Sequence, residues 1–141
     1  GPAVVVGGSW RACHAADLLL AAGREVVVIE SGAALAIDMG EQQGHVLRER
    51  VRSHPRCTVV LGATVEEIAA DRVRVWASAD GATTDVPAAL VVIASRLAPQ
   101  RDLADRLRAS TGIEVHVVGD AVQPRRLADA LLEGACVGAR I

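Results

Sequence analysis

The chain has 141 residues, 51% apolar and 23% charged, with a formal net charge of −2; this is globular composition, neither disordered nor fibrous. All 15 basic residues are Arg, and Lys, Asn, Phe and Tyr are absent. The missing types share AT-rich codons, so the bias reads as high-GC coding and gives no support to phosphate or nucleic-acid binding, while the near-neutral charge gives no pull toward an anionic membrane.

No apolar run approaches the roughly 20 residues of a membrane span. A chain of this length can bury a real core. With two Trp as the only aromatics, that core has to be Val, Leu, Ile and Ala. Cys13, Cys57 and Cys136 are an odd number with no CxxC spacing, which fits neither a disulfide framework nor a zinc site. They read as small buried hydrophobes in a reducing cytoplasm, the expected location. The start Gly1-Pro2-Ala3 has no Met, so the expectation is a piece of a longer protein.

Ala3-Val4-Val5-Val6 reads as a buried strand running into Gly7-Gly8. Ser9 to Ala22 has helical periodicity, with Gly23 as its stop. Glu25 to Glu30 is a second buried strand, so the opening is β-turn-α-β with a parallel pair. Gln42 to Ser53 predicts an amphipathic helix and Cys57 to Leu61 a third strand. Residues 64–86 change character. Val65-Ile68, Arg72-Trp76 and Thr83-Val86 are half-polar, and Asp80-Gly81 is a hairpin signal, so they predict a three-stranded antiparallel meander with one wet face. Ala89 to Ala94 is again a central strand. A helix is expected from Pro99 to Ala109, a last strand from Ile113 to Val118, and a last helix from Pro124 to Ala139 with Arg125-Arg126 in its first turn. The fold class is α/β, a Rossmann-like doubly wound parallel sheet with the meander inserted.

Three places could carry chemistry. Gly7-Gly8-Ser9-Trp10-Arg11-Ala12 stands where a dinucleotide fingerprint belongs. Such a loop needs glycines for the tight turn, for backbone approach to a pyrophosphate at the helix N-terminus, and for helix–strand packing. Gly7 takes the first place, Ser9 the second and Ala12 the third, with Gly8 and Trp10 between them. Glu30 ends the second strand, where a carboxylate binds a ribose 2′-hydroxyl and favours NAD over NADP; it reads equally as a strand-end charge. Gly119-Asp120 closes the last strand, at the crevice end of a parallel sheet, and reads otherwise as an ordinary turn. The histidines lack metal-type spacing, and His116 is expected inside a buried strand. No Ser–His–Asp arrangement is legible. No catalytic residue and no metal ligand is expected.

The tail from Val117-Val118-Gly119-Asp120 through Pro124-Arg125-Arg126 and Asp129-Ala130 to Glu133-Gly134 resembles the C-terminus of one flavoenzyme group. That group is the Old Yellow Enzyme-like family of 2,4-dienoyl-CoA reductase and the trimethylamine and histamine dehydrogenases. Ala36-Ile37-Asp38-Met39 and Pro99-Gln100 are similar to the same group. The resemblance implies an oxidoreductase parent in which an FMN and 4Fe-4S barrel precedes an FAD-type domain. An NAD(P)H-type domain is inserted into the latter. Residues 1–112 would be that inserted domain, and 113–141 the closing strand and helix of the FAD-type domain. Gly119-Asp120 would then belong to the FAD-type site, and the Gly7 loop with Glu30 to an NAD(H) site.

The partner implied is the remainder of the parent flavoenzyme. The sequence departs from the family at Ser9, at His14 and at Ala94-Ser95-Arg96, where the family has Ala-Thr-Gly. Two readings stand side by side. One is a domain that binds NAD(H) and passes electrons to flavin. The other is a degenerate, non-catalytic module kept for packing and docking in its parent.

Overall fold

The computed structural model describes residues 1–95 and 97–141. The chain divides into two compact units, Gly1–Arg96 and Leu97–Ile141.

The first unit holds seven strands and two helices: β1 (Ala3–Val6), α1 (Trp10–Ala21), β2 (Val26–Glu30), α2 (Glu41–Arg52), β3 (Cys57–Leu61), β4 (Ala63–Ile68), β5 (Arg72–Ala77), β6 (Thr83–Pro87) and β7 (Leu90–Ile93). The β-branched runs pair in parallel in the order β3-β2-β1-β7, with Val4 opposite Val27 and Val91. The half-polar segments form a separate antiparallel sheet, β4-β5-β6. The expected α/β architecture with an inserted meander is therefore the observed one. The Asp80-Gly81 hairpin turn is closed by Asp80 Oδ1, which accepts from the Ala82 amide at 3.0 Å.

Side-chain alternation splits the core into two layers. Val5, Val26 and Val28 point toward α1 and α2 and meet Ala12, Ala16, Leu20, Leu47 and Val51. Val4 and Ile29 point the other way and meet Ala63, Val73 and Val75 of the meander. Every fully buried large side chain is aliphatic or Cys, while Trp10 and Trp76 stay outside. The meander's wet face carries Arg74, which pairs with Asp85 and Glu67, each at 3.0 Å.

The second unit holds α3 (Asp102–Thr111) and α4 (Leu127–Gly138), joined through a 3-10 turn at Gly119–Ala121. Neither helix buries a residue. Four sequence expectations are corrected here. Ile113–Val118 is not a strand: it has no pairing partner among the described residues. Its period of two survives only as half-buried Val115 and Val117 between exposed neighbours, because a strand exists through its ladder and no ladder is there.

His116 is consequently exposed, 3.1 Å from the Glu114 carboxylate, and not inside a buried strand. Arg125 and Arg126 precede α4 instead of opening it; Arg126 is its N-cap, and the Asp129 side chain accepts from the Arg126 amide. Of the cysteines, only Cys13 is buried; Cys57 is half-buried and Cys136 exposed. The Arg101 guanidinium donates to the carbonyls of Ala121 and Val122, and Arg108 to that of Val115, which ties α3 to the segment on its C-terminal side.

Candidate functional site

The parallel strands β1, β2 and β7 end together, and the turn after β1 is shaped by their proximity. Gly7 has φ +111°, and a Cβ there would lie 2.6 Å from the Ala94 carbonyl oxygen. Only glycine passes beneath the end of β7. A Cβ on Gly8 would meet the Glu30 side chain at 2.6 Å and Leu35 at 2.8 Å. Both glycines are thus required by the protein's own packing. Ala12, in the third place of the loop, is fully buried between α1 and the sheet.

Ser9 is the N-cap of α1. Its hydroxyl accepts from the Ala12 amide at 3.3 Å and donates to the Ala94 carbonyl at 3.0 Å. The serine therefore does more than add bulk, because it uses one of the donors that a helix N-terminus offers an anion. A second donor is used as well. The Trp10 amide donates to Asp38 Oδ1 at 2.9 Å. Asp38 comes from the segment after β2, which folds back over the loop: Leu35 and Ala36 are buried, and the Ala36 amide donates to the Gly8 carbonyl at 2.6 Å. Ala36 takes φ +49° to do so, an uncommon conformation for a residue with a side chain. A helix start attracts anionic groups; here an internal carboxylate holds that position.

Trp10 itself is partly exposed, with the Arg11 guanidinium 4.8 Å from its ring centre and His14 edge-on at 5.7 Å. Glu30 is 9% exposed. Its Oε1 accepts from the Gly32 amide at 2.6 Å and from the Ser31 hydroxyl at 3.3 Å. Among the described residues nothing donates to its Oε2. Cys13, under the loop, has its thiol pushed up to about 11 by burial first and by the Asp38 charge second.

A cleft of about 380 Å³ opens at these strand ends. Val6, Ile29 and Val65 give it apolar walls, and Glu30, Ser31, Thr64 and Ser95 give it polar ones. Glu30 and Ser95, two of the sequence candidates, thus share one cleft with Gly7, whereas Ser9 and Trp10 stand beside it. The glycine missing at position 96 lies outside the described residues.

The other candidates form a second turn, in the second unit. Gly119 has φ +64° and is buried against Ala130 of α4. Its amide donates to Glu133 Oε2 at 2.7 Å, and the Arg125 guanidinium binds the other oxygen of Glu133. These two contacts hold the Glu133 carboxyl below its ordinary range, the Arg125 contribution being the larger. Asp120 Oδ1 accepts from the Arg125 amide at 3.3 Å, and the residue stays exposed. The tail pattern is accordingly one interlocked hydrogen-bond network around an outward carboxylate.

Asp38 and Glu133 are the functional side chains that spacing alone does not single out. Each stands inside a segment that carries the family resemblance, and nothing in the sequence shows which amide it meets. Among the described residues no group of His, Cys, Asp and Glu is placed to hold a metal ion. Among the described residues no helix is long and apolar enough to cross a membrane.

The fold and this turn define a Rossmann-like nucleotide-binding-type domain. Residues 1–123 match the family model described as pyridine nucleotide-disulphide oxidoreductase, and the chain belongs to that family. None of the curated proteins matches. Among solved structures, histamine dehydrogenase from Rhizobium sp. 4-9 is similar with a TM-score of 0.78 and 20% identity, over 97% of this chain and 22% of that one. A 2-naphthoyl-CoA reductase is similar with a TM-score of 0.77 and 25% identity, over 99% and 21%. Thioredoxin reductase from Lactococcus lactis is similar with a TM-score of 0.71 and 18% identity, over 95% and 49%. The chain thus spans about a fifth of the length of the first two. The likeness read from the tail, to the Old Yellow Enzyme-like dehydrogenases and reductases, is borne out.

Proposed function

We propose that the chain is a domain of a larger flavoprotein oxidoreductase, and that it is closed to NAD(H) by its own side chains and serves packing and docking within that parent. One observation carries this reading: two of the first three amides of α1 are already used, Trp10 by Asp38 and Ala12 by Ser9. A pyrophosphate would have to displace a carboxylate from the place it needs. The residues therefore do not fit a dinucleotide at the loop as they stand.

The parent, by the same reading, is a cytoplasmic enzyme in which FAD, FMN and a 4Fe-4S cluster are held outside this chain and move electrons to or from a small organic substrate. Residues 1–112 are its NAD(P)H-type domain and 113–141 the closing piece of its FAD-type domain. Asp120, an exposed carboxylate able to accept from a hydroxyl, is the residue of the tail that would face the parent's FAD. Exposed Leu127, Leu131 and Leu132 on α4 support docking, since three large apolar side chains on one helix favour a covering partner.

A second reading, retained NAD(H) binding, is favoured by Glu30, whose Oε2 accepts from none of the described residues and could take a ribose hydroxyl. The two separate on titration with NADH, followed by Trp fluorescence, because Trp10 is in the loop itself. The closed reading expects no saturable change up to about 1 mM, the upper end of ordinary KM values. Saturation in the micromolar range would overturn it in favour of the second.

A further inference from the structure

The two units differ in what holds them. Among the described residues, every buried apolar side chain lies between Ala3 and Ala88. Both core clusters, with the half-buried residues packed on them, draw on residues 4–94 alone. Among the described residues of Leu97–Ile141, only Gly119 is buried. Folding orders the backbone at an entropic cost that apolar burial has to offset, and in this unit almost nothing does so. α3 has 10 residues and α4 has 12, lengths at which a helix without tertiary packing is marginal in water. α4 also contains Gly134 and Gly138, and glycine is the weakest helix former after proline. Leu127, Leu131 and Leu132 are 76, 66 and 66% exposed. Ile113–Val118 has no ladder to tie it down. What remains is polar and near the surface. Arg125 pairs with Glu133, Arg126 with Asp129 and Arg108 with Asp105, while Arg101 and Arg108 donate to backbone carbonyls. Contacts of this kind contribute little each in water.

We propose that Leu97–Ile141 is a conditionally folded unit: it opens and closes as one piece while Gly1–Arg96 stays folded, and the Gly119-Asp120 turn exists only while it is closed. The turn depends on α4 because the Gly119 amide and the Arg125 guanidinium both bind the Glu133 carboxylate, which α4 carries. When α4 melts, both contacts go. Asp120, which accepts from the Arg125 amide, then loses its fixed place. Covering Leu127, Leu131 and Leu132 with the rest of a parent flavoprotein would hold the unit closed, since whatever binds only the folded form stabilises it. That consequence rests on the reading of this chain as a domain of a larger protein; the opening itself does not.

The test is native-state hydrogen exchange of the full chain, read amide by amide by NMR. The hydrogen-bonded amides of β1 and β2 are expected to be protected roughly 10³-fold or more, as for global unfolding of a small domain. Those of α3, of α4 and of Gly119 are expected to share one value, below about 100-fold. Gly134→Ala adds a Cβ that meets nothing within 4 Å, so it should raise that shared value up to about fivefold and leave β1 unchanged. Equal protection of α4 and β1 overturns the proposal. So does a Gly134→Ala change that moves both units together, because the chain then unfolds in one step. A gain in α4 that the Gly119 amide does not share overturns the dependence of the turn on α4. None of these results involves NADH. Uniform exchange therefore leaves the closed loop standing, and micromolar NADH binding leaves this proposal standing.

Discussion

Two turns in this chain carry a glycine at positive φ and an internal carboxylate on a backbone amide, and they use that contact in opposite ways. In the first unit, Asp38 reaches the Trp10 amide from a separate segment and occupies the start of α1. In the second, Glu133 reaches the Gly119 amide from α4 and leaves the neighbouring Asp120 carboxylate turned outward. The first arrangement occupies a donor at a helix start; the second leaves a carboxylate exposed beside the turn.

The difference shows most strongly in what the glycines tolerate. Gly7→Ala places a Cβ 2.6 Å from a backbone oxygen at φ +111°, whereas Gly119→Ala, in the left-handed region, comes no nearer than 3.1 Å, to the Ala130 Cβ. Urea unfolding should give a loss of about 3 kcal/mol for the former and about 1–2 kcal/mol for the latter. Equal losses would mean that the two turns are not held by different neighbours.

Ser9→Ala removes the cap of α1 and should cost about 1 kcal/mol, a few degrees in Tm. Asp38→Ala should act in the same direction. A stabilised Asp38→Ala variant would contradict the contact with Trp10.

A smaller effect sharpens the second turn. Glu133 titrates below its ordinary value of 4.5 in the folded chain, so its contribution is fully present above that value and is lost as pH falls through the lower, folded one. The Tm gap between wild type and Glu133→Gln should be constant from neutral pH down to about 4.5 and close below it. A gap that widens in acid would reverse the assignment.

The smallest expected effect is chemical. At pH 8, an aromatic disulfide reagent should modify exposed Cys136 rapidly, Cys57 slowly, and Cys13 only on unfolding, since burial raises both of the latter thiols. Rapid reaction of Cys13 would show that the segment over the loop opens freely.

Local pattern made most of the first unit legible. The runs of Val fixed the parallel strands, strict alternation in Arg72-Val73-Arg74-Val75-Trp76 fixed the meander, and Gly7, Gly23 and Gly81 marked turns where positive φ is found. The second unit was less legible because the Ile113–Val118 pattern specifies an extended segment but cannot supply the strand that would pair with it. At the candidate site, Ser9 and Glu30 stand at the helix start and the strand end where their places along the chain put them, but their hydrogen bonds were not legible. The contacts that close the loop reach across 28 residues from Trp10 to Asp38 and 85 from Ser9 to Ala94. Proximity of that kind is a product of the fold and leaves no local signature. The tail was the reverse case: its pattern was visible, and its physical basis is the interlocking of Arg125, Glu133 and Gly119, which no spacing rule gives.

The closed loop is tested most directly amide by amide. Backbone ¹⁵N NMR of the full chain during NADH titration reports the Trp10, Arg11 and Ala12 amides separately. With Asp38 and Ser9 holding two of them, all three signals should stay in place up to about 1 mM NADH. Saturable movement of the Trp10 and Ala12 amides at lower concentration would show the dinucleotide taking the start of α1, and would contradict the closed loop.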